Sequence, residues 1–368
     1  MEEVVIVIAD LYLASAAEAA SIRGVELPGL ARVARFGSGK PLELGWRAWL
    51  ATWSGQALLA REAPATVAAA ASHLTAQDAH GRMVWLATPV HLVAGLSSVQ
   101  LDPRGLLQVE SEVRRELADE FNTVFAGSGF RLEALPSEGF LMTSPRIEGA
   151  RTVDPARVLG ASIAEALPPA ADAPALRRLG AEIEMWLHAH RVNAERARKG
   201  RPPITALWLW GGGTAREGIA ATADALAFAQ DTTDTVPASA VRGAALATAS
   251  HVPGVAFGRD PFLHGLWRSS GSHVRPMPRR FEEVLGMSGR RAVFVVELSH
   301  AFDEHPDWTL RDALADADRR WIVGGLDALR RRDIVRMTVL ANDHRLSLSA
   351  RDPWKLWRMP RAALTALQ

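Results

Sequence analysis

The sequence contains no cysteine, which excludes disulfides, thiol nucleophiles and cysteine-ligated zinc or iron–sulfur centres. Long apolar runs are also missing, because the longest stretches, such as those at 4–8 and 293–296, have the length of a strand and fall far short of a bilayer span. Met1 is followed by Glu2 and Glu3, the opposite of the positively charged start of a signal peptide. We therefore expect a cytoplasmic protein without a membrane partner.

Lysine is scarce, since only Lys40, Lys199 and Lys355 are present and arginine supplies almost all of the positive charge. The formal net charge of +1 gives no overall field that would attract nucleic acid, so nucleic acid is not an expected partner. Arginine suits planar recognition of carboxylate or phosphate groups. A GC-rich genome would produce the same arginine excess.

The chain has 48% hydrophobic and 23% charged residues, as is typical of a folded globular protein. The β-branched run at 4–9 ends at Asp10, which predicts a buried parallel strand followed by a functional loop. Similar runs at 205–210, 292–296 and 334–340 predict three more strands, and helical patterns separate them. These patterns indicate an α/β fold with a doubly wound, mostly parallel sheet that gathers ligands at the carboxyl ends of its strands.

Shorter strand patterns fill the region 83–165, at 84–87, 99–101, 130–135 and 140–142, together with one amphipathic helix near Val113 and Leu117. This change predicts an inserted, smaller α+β subdomain at 83–165, with the α/β core formed by 1–82 and 166–368. In the core, one long helix is expected at 175–199. A second helix begins with a capping-box pattern from Thr309 to Asp312.

Three glycines, Gly211, Gly212 and Gly213, follow the apolar run at 205–210. Consecutive glycines can present backbone N–H groups to an anion or allow another backbone to approach closely, whereas a purely structural turn is the alternative. His188 and His190 are two residues apart on the predicted helix, so they cannot share a metal ion. We expect His190 to be partly buried and His188 to lie on the surface.

The segment 193–213 resembles a signature of the archaeal-type, cofactor-independent phosphoglycerate mutases of the alkaline phosphatase superfamily. The matching positions are Asn193, Arg196, Gly200, Pro203, Trp208, Leu209, Trp210, Gly211 and Gly213, whereas Gly212 replaces the usual glutamine. The chain is more similar still to the bacterial RpfE-type regulatory proteins, which share the Trp-Gly-Gly-Gly run and the segment 89–92. The resemblance implies an alkaline-phosphatase-like fold and a set of ligand-binding residues. These are Asn193, Arg196, Trp210, Gly211, Gly212, Gly213 and Arg131.

Active mutases of this superfamily hold two divalent metals and use a serine as phosphoryl acceptor. The resemblance implies five metal ligands here, namely Asp10, Asp303, His305, Asp343 and His344. Other parts of the pattern are lost, since Arg345-Leu346-Ser347 replaces Ser-Thr-Pro and Ser349 replaces a ligating histidine. Neither Ser54 nor Ser97 has the flanking residues of the acceptor serine. The expected cofactor is therefore none or a single divalent ion, Mn, Zn or Mg.

These gains and losses predict a degenerate phosphoglycerate-mutase-like protein that does not catalyse phosphoryl transfer and acts as a ligand- or partner-binding regulatory protein. The expected ligand is a small phosphate ester or a carboxylate, and the expected partner is another protein or a second copy of the chain. The alternative is an active metal-dependent phosphomutase or phosphatase of the 2,3-bisphosphoglycerate-independent phosphoglycerate mutase type. A nucleic-acid-binding regulator is supported by the basic run at 196–201 alone. No catalytic residue is identified.

Overall fold

The computed structural model describes residues 1–13, 24–95, 98–104, 106–147, 150, 152–164, 166–167, 174–215, 254–287 and 289–350. The chain divides into two compact units. The first comprises the described residues within Met1–Trp53, Gly254–Arg259 and Val274–Gln368, and the second comprises those within Ser54–Pro253 and Asp260–His273. These limits differ from those of the expected insertion at 83–165, whose boundaries stay a prediction.

The described residues form thirteen strands. In chain order they are β1 (Glu3–Ile8), β2 (Ser38–Pro41), β3 (Met83–Val90), β4 (Leu92–Ala94), β5 (Val99–Leu101), β6 (Arg131–Ala134), β7 (Phe140–Ser144), β8 (Ala206–Thr214), β9 (Val255–Phe257), β10 (Val274–Arg275), β11 (Arg291–Val296), β12 (Arg336–Ala341) and β13 (His344–Ser349). The α-helices in the described residues are Pro28–Phe36, Gly45–Trp53, Pro64–Ala68, Ala76–Ala79, Ser111–Val124, Pro174–His188, Arg191–Arg198, Pro261–Arg268, Glu282–Leu285, Ala301–Glu304, Leu310–Ala317 and Gly324–Arg331. Short 3₁₀ helices lie at Ala57–Arg61, Ala69–Ala71, Pro155–Val158 and Leu298–His300, and a π-helical segment lies at Asp318–Val323.

The first unit contains a seven-stranded sheet in the order β10-β9-β11-β1-β12-β13-β2. Strand β1 pairs in parallel with both β11 and β12, and β9 and β10 continue the parallel part. The edge strands β13 and β2 are antiparallel to their neighbours. The predicted α/β class and mostly parallel central sheet are therefore confirmed.

One face of this sheet packs against helices through a large apolar core that includes Ile6, Phe294 and Val339. The predicted capping box of Thr309 and Asp312 is present at the start of Leu310–Ala317. That helix continues through the π-helical segment into Gly324–Arg331, and Trp321 and Leu329 are buried as expected. No described helix is long and apolar enough to cross a bilayer.

The second unit contains a four-stranded antiparallel sheet in the order β6-β7-β3-β8 and a separate β4–β5 pair. The prediction that the strand at 205–210 belongs to the parallel sheet is wrong, because β8 pairs antiparallel with β3. Apolar side chains cover both faces of β8, since Leu207 joins one core cluster while Trp208 and Trp210 join another. A strand buried on both faces has the same continuous apolar sequence whichever way its neighbour runs.

The predicted helix at 175–199 is instead two helices. Pro174–His188 ends before His190, and Arg191–Arg198 begins directly after it. The His190 Nδ1 atom accepts a hydrogen bond from Val192 N at 3.1 Å and caps Arg191–Arg198. Its Nε2 atom lies 2.8 Å from Glu120 Oε2. His190 is buried and His188 is exposed, as expected. The break exists because the imidazole satisfies an N–H group at the start of the second helix.

A buried aspartate holds the first turn of Pro28–Phe36. The Asp318 carboxylate accepts hydrogen bonds from Gly29 N at 2.8 Å and from Leu30 N at 2.6 Å, and no part of its surface reaches solvent. Burial raises the pKa of Asp318 above its ordinary value of 3.8, although the two N–H groups lower it. Charging this group therefore costs more in the folded chain than in the unfolded chain.

A carboxyl with a raised folded-state pKa contributes stability that is present below its unfolded-state pKa and lost as pH rises through the folded-state pKa. Asp318→Asn has the shape of the protonated carboxyl and does not titrate. We therefore expect the unfolding free energy of the wild type, relative to that of Asp318→Asn, to fall as pH rises from about 4 to 7. Urea unfolding at a series of pH values measures this difference.

The matched variant Asp318→Ala removes both acceptors and leaves two buried N–H groups unpaired. It should lower stability by at least about 2 kcal/mol at every pH. A pH-independent difference between the wild type and Asp318→Asn would contradict the raised pKa.

Candidate functional site

Asp10 lies directly after β1 and is almost completely buried. Its two carboxylate oxygens accept hydrogen bonds from Leu298 N at 2.7 Å and from Ser299 N at 2.9 Å. Burial raises the pKa of Asp10 above its ordinary value, and the backbone N–H groups of Ser299 and Leu298 oppose that rise. Asp10 thus joins the end of β1 to the 3₁₀ helix that follows β11.

Glu297 and His300 lie at the same carboxyl end of the sheet, directly after β11. The Nε2 atom of His300 is 2.9 Å from the Oε2 atom of Glu297, and the charge of His300 acts on Asp10. Asp10, Glu297 and His300 therefore form a carboxylate–imidazole group at the ends of two adjacent parallel strands. Sequence reasoning missed the last two, although they directly follow the buried run at 293–296.

Asp303 and His305 lie further along the same loop. Asp303 is in the short helix Ala301–Glu304 and is partly buried, whereas His305 is exposed. The imidazole of His305 stacks on Trp308, with 4.0 Å between ring centroids and 16° between planes. This contact gives His305 a surface packing role.

Asp343 and His344 belong to the tight hairpin between β12 and β13. Asn342 and Asp343 have φ angles of 47° and 55°, and Ala341 pairs with His344 across the turn. Two consecutive left-handed residues fit a two-residue hairpin turn, for which Asn and Asp are favoured. The Nδ1 atom of His344 lies 2.8 Å from the carbonyl oxygen of Asn342. The hairpin therefore constrains both side chains locally.

The residues expected to bind a metal are Asp10, Asp303, His305, Asp343 and His344. Among the residues that the structure describes, none of the five belongs to a group of three or more acidic or histidine ligand atoms within 4.8 Å of one another. Both oxygens of Asp10 also already accept backbone N–H groups. The arrangement does not fit one ion held by the five, and their role as ligands stays a prediction.

Asn193 and Arg196, two of the expected ligand-binding residues, use their polar atoms within the fold. The Asn193 amide donates to Leu187 O and Ile204 O, each at 2.8 Å, and accepts from Ile204 N at 2.7 Å. The buried Arg196 donates to Pro202 O at 2.6 Å and to Gln108 O at 3.0 Å. Both side chains thus fix the segment that leads into β8.

Gly211, Gly212 and Gly213 lie within β8 at an irregularity in its pairing with β3. Gly211 has a φ of +62°, which a residue with a side chain rarely adopts. A Cβ atom at Gly212 would lie 2.2 Å from the Trp85 ring, and one at Gly213 would lie 2.5 Å from Thr66 Oγ1. Of the two sequence interpretations, close packing is the one for which the structure supplies contacts.

Trp210 and Arg131 complete the expected ligand-binding set. Trp210 is buried, and its Nε1 atom donates to Thr88 Oγ1 at 2.9 Å. Arg131 is exposed on β6 and lines a groove of about 600 Å³ that also contains Arg82 and Glu133. Burial raises the pKa of Glu133 above its ordinary value. This groove mixes charges of both signs, and the ligand role of Arg131 stays a prediction.

Comparisons with known proteins give weak similarities in structure. The fold is similar to the cofactor-independent phosphoglycerate mutase from Thermoplasma acidophilum DSM 1728, with 15% identity, a TM-score of 0.35, and coverage of 95% of this chain and 90% of that chain. It is also similar to the PH0037 protein from Pyrococcus horikoshii, with 13% identity, a TM-score of 0.41, and coverage of 93% and 82%. No protein-family profile and no curated protein sequence matches the chain. Similarities at this level assign neither a family nor an activity.

The packing of the glycine run makes a specific prediction. Gly212→Ala places a methyl carbon 2.2 Å from atoms of the Trp85 ring, which is a steric clash. The substitution should therefore destabilise the chain by about 1–3 kcal/mol. Gly180→Ala is the matched control, because a Cβ atom there meets nothing within 4 Å. Gly180 lies inside the helix Pro174–His188, so this control should stabilise by about 0.5–1 kcal/mol. Urea unfolding measures both changes, and equal stability of the two variants would refute the packing role.

Proposed function

We propose that this chain is a phosphoglycerate-mutase-like protein of the alkaline phosphatase superfamily that binds a ligand or partner and does not catalyse phosphoryl transfer. The proposal includes kinship with the RpfE-type regulatory proteins and a location in the cytoplasm. It rests on the sequence resemblance, together with the structural use of residues at which that chemistry would occur. A protein partner or a second copy of the chain remains part of the same proposal.

The observation that carries the proposal is the burial and hydrogen bonding of the Asp10 carboxylate. In the superfamily pattern this position supplies a metal ligand, and here both of its oxygens accept backbone N–H groups in a buried environment. A buried carboxylate that is already hydrogen-bonded has less capacity left for a divalent ion.

The two serines considered as phosphoryl acceptors support the same conclusion. Ser54 is buried, with 2% of its surface exposed, and it follows the helix Gly45–Trp53 without the sequence context of an acceptor. Ser97 lies outside the described residues. Metal-assisted phosphoryl transfer through an enzyme intermediate needs an accessible, activated hydroxyl, and neither serine is a good candidate.

One observation favours the alternative, an active metal-dependent phosphomutase or phosphatase. Asp10, Glu297 and His300 are carboxylate and imidazole groups gathered at the carboxyl ends of β1 and β11, where doubly wound folds place their chemistry. Oxygen and imidazole ligands are suited to Mn, Zn or Mg. Glu297 and His300, rather than the expected five, are the residues to test for metal binding.

An activity assay distinguishes the two functions. Purified protein supplied with manganese, zinc or magnesium should not interconvert 2- and 3-phosphoglycerate and should not hydrolyse p-nitrophenyl phosphate, because neither Ser54 nor Ser97 has the sequence context of a phosphoryl acceptor. An active mutase under the same conditions serves as the positive control. Elemental analysis after dialysis should find less than one equivalent of these metals.

Turnover that disappears in both Asp10→Asn and His300→Gln would establish the alternative instead. The second variant is needed because Asp10→Asn also weakens the contact with the 3₁₀ helix. Thermal unfolding of each variant separates loss of activity from loss of fold.

A further inference from the structure

A cleft of about 560 Å³ lies in the first unit, against one face of the seven-stranded sheet. Its walls are residues of the strands β1, β12 and β13 and of the helix Gly45–Trp53, which we name the tryptophan helix. None of the residues expected from the sequence to bind a ligand or metal lines this cleft.

The floor of the cleft is a row of polar side chains on adjacent strands. Residues alternate between the two faces of a strand, so Arg345 and Ser347 of β13 share one face while Leu346 and Leu348 are buried on the other. The Thr338 Oγ1 atom of β12 lies 3.2 Å from Ser347 Oγ across the strands. This polar row differs from the apolar run of β1, whose residues 4–8 are buried.

Three arginines give the cleft an excess of positive charge. Arg291, Arg336 and Arg345 line it, with Glu3 as the acidic residue among the lining groups. Three positive charges and one negative charge leave an excess of two. Glu3 is already engaged, because it accepts a hydrogen bond from Trp53 Nε1 at 3.0 Å and lies 3.8 Å from Arg291 Nε.

Arg345 is the most informative of these arginines. Its Nε atom is buried and has no hydrogen-bond partner among the residues that the structure describes. Arg82 also has an unpaired Nε atom, but its guanidinium donates to the carbonyl of Gly129. The Nε atom of Arg345 is itself closed to solvent, but the side chain is partly exposed and lines the cleft, so an anion there would pair with the rest of the guanidinium.

Two tryptophans form the wall opposite the polar row. Trp49 and Trp53 stack with 6.1 Å between their ring centroids, and both are partly exposed. The guanidinium of Arg291 lies 3.7 Å from the centre of the Trp53 ring, and that of Arg345 lies 5.8 Å from the centre of the Trp49 ring. Flat or apolar groups bind well on such a surface, next to the guanidinium groups.

We propose that this arginine–tryptophan cleft binds a small ligand in which a phosphate or carboxylate group is attached to a flat, apolar part, with a total size near that of a mononucleotide. The anionic group pairs with Arg345 and Arg336, and the flat part packs on Trp49. This inference deepens the proposed function and rests on it for the claim that the chain acts by binding. The location of the site rests on the cleft alone.

Calorimetric titration tests the site with four probes: adenosine monophosphate, adenosine, benzoate and inorganic phosphate. The first should bind with a Kd below about 1 mM and more tightly than inorganic phosphate, whereas adenosine should not bind. Benzoate binding as tightly as adenosine monophosphate would assign the anion as a carboxylate, and weaker binding would assign it as a phosphate. Affinity should fall as salt rises, because the contact is ionic.

Arg345→Gln should weaken adenosine monophosphate binding at least about tenfold, because a charge-assisted hydrogen bond is lost. Arg32→Gln is the matched control, since Arg32 is exposed on the helix Pro28–Phe36 and does not line the cleft; it should bind as the wild type does. Trp49→Leu should weaken binding of adenosine monophosphate and leave binding of inorganic phosphate unchanged. Thermal unfolding of every variant confirms that it is folded.

No binding of any anionic probe at about 10 mM, or equal affinity of Arg345→Gln and Arg32→Gln, would overturn the site. These results would not change the outcome expected in the mutase assay, on which the proposed function depends. Conversely, mutase turnover would refute the proposed function even where the cleft binds its probes, so the two failures are distinguishable.

Discussion

The burial of residues 4–8 of β1 is the constraint on which the first unit depends. Residues 4–7 are inaccessible to solvent, and their backbone groups pair with β11 on one side and β12 on the other. Since β1 and β11 run in the same direction, their carboxyl ends meet, and the N–H groups of Leu298 and Ser299 need an acceptor there. Asp10 is that acceptor. The Asp10 carboxylate therefore has a structural role whether or not it also has a chemical one. A metal ion would compete with the two backbone N–H groups for its oxygens.

In the second unit, packing accounts for the residues of the glycine motif. The glycine run that resembles a mutase signature allows β8 to approach Trp85 and Thr66, and Asn193 and Arg196 hold the preceding segment through backbone groups. Each of these residues is needed for the scaffold whether or not the chain is an enzyme. A signature of this kind is evidence of a shared fold and says little about retained activity.

The buried strand at 4–8, the capping box at Thr309 and the α/β class could all be predicted from local sequence, because they depend on period, burial and short-range hydrogen bonds. The direction of β8 could not, since an apolar run is the same in a parallel and an antiparallel sheet once both faces are covered. The helix break at His190 depends on an imidazole cap with Glu120 as its second partner, 70 residues away. The cleft could not be predicted from the sequence for a related reason, because its arginines lie on different strands and share no motif.

Arginine is abundant throughout this chain, so its presence alone distinguishes no site. The distinction lies in what each guanidinium contacts. Arg196 is buried and donates to two backbone carbonyls, which accounts for it fully as a structural residue. Arg345 has a buried Nε atom with no partner among the described residues, and it sits beside a tryptophan and a row of hydroxyls. The guanidinium of Arg345 is partly exposed and lines the cleft together with Arg336, so an anion that enters the cleft meets positive charge that is already in place. The position of this charge beside a tryptophan and a row of hydroxyls, rather than the charge alone, distinguishes this part of the sheet.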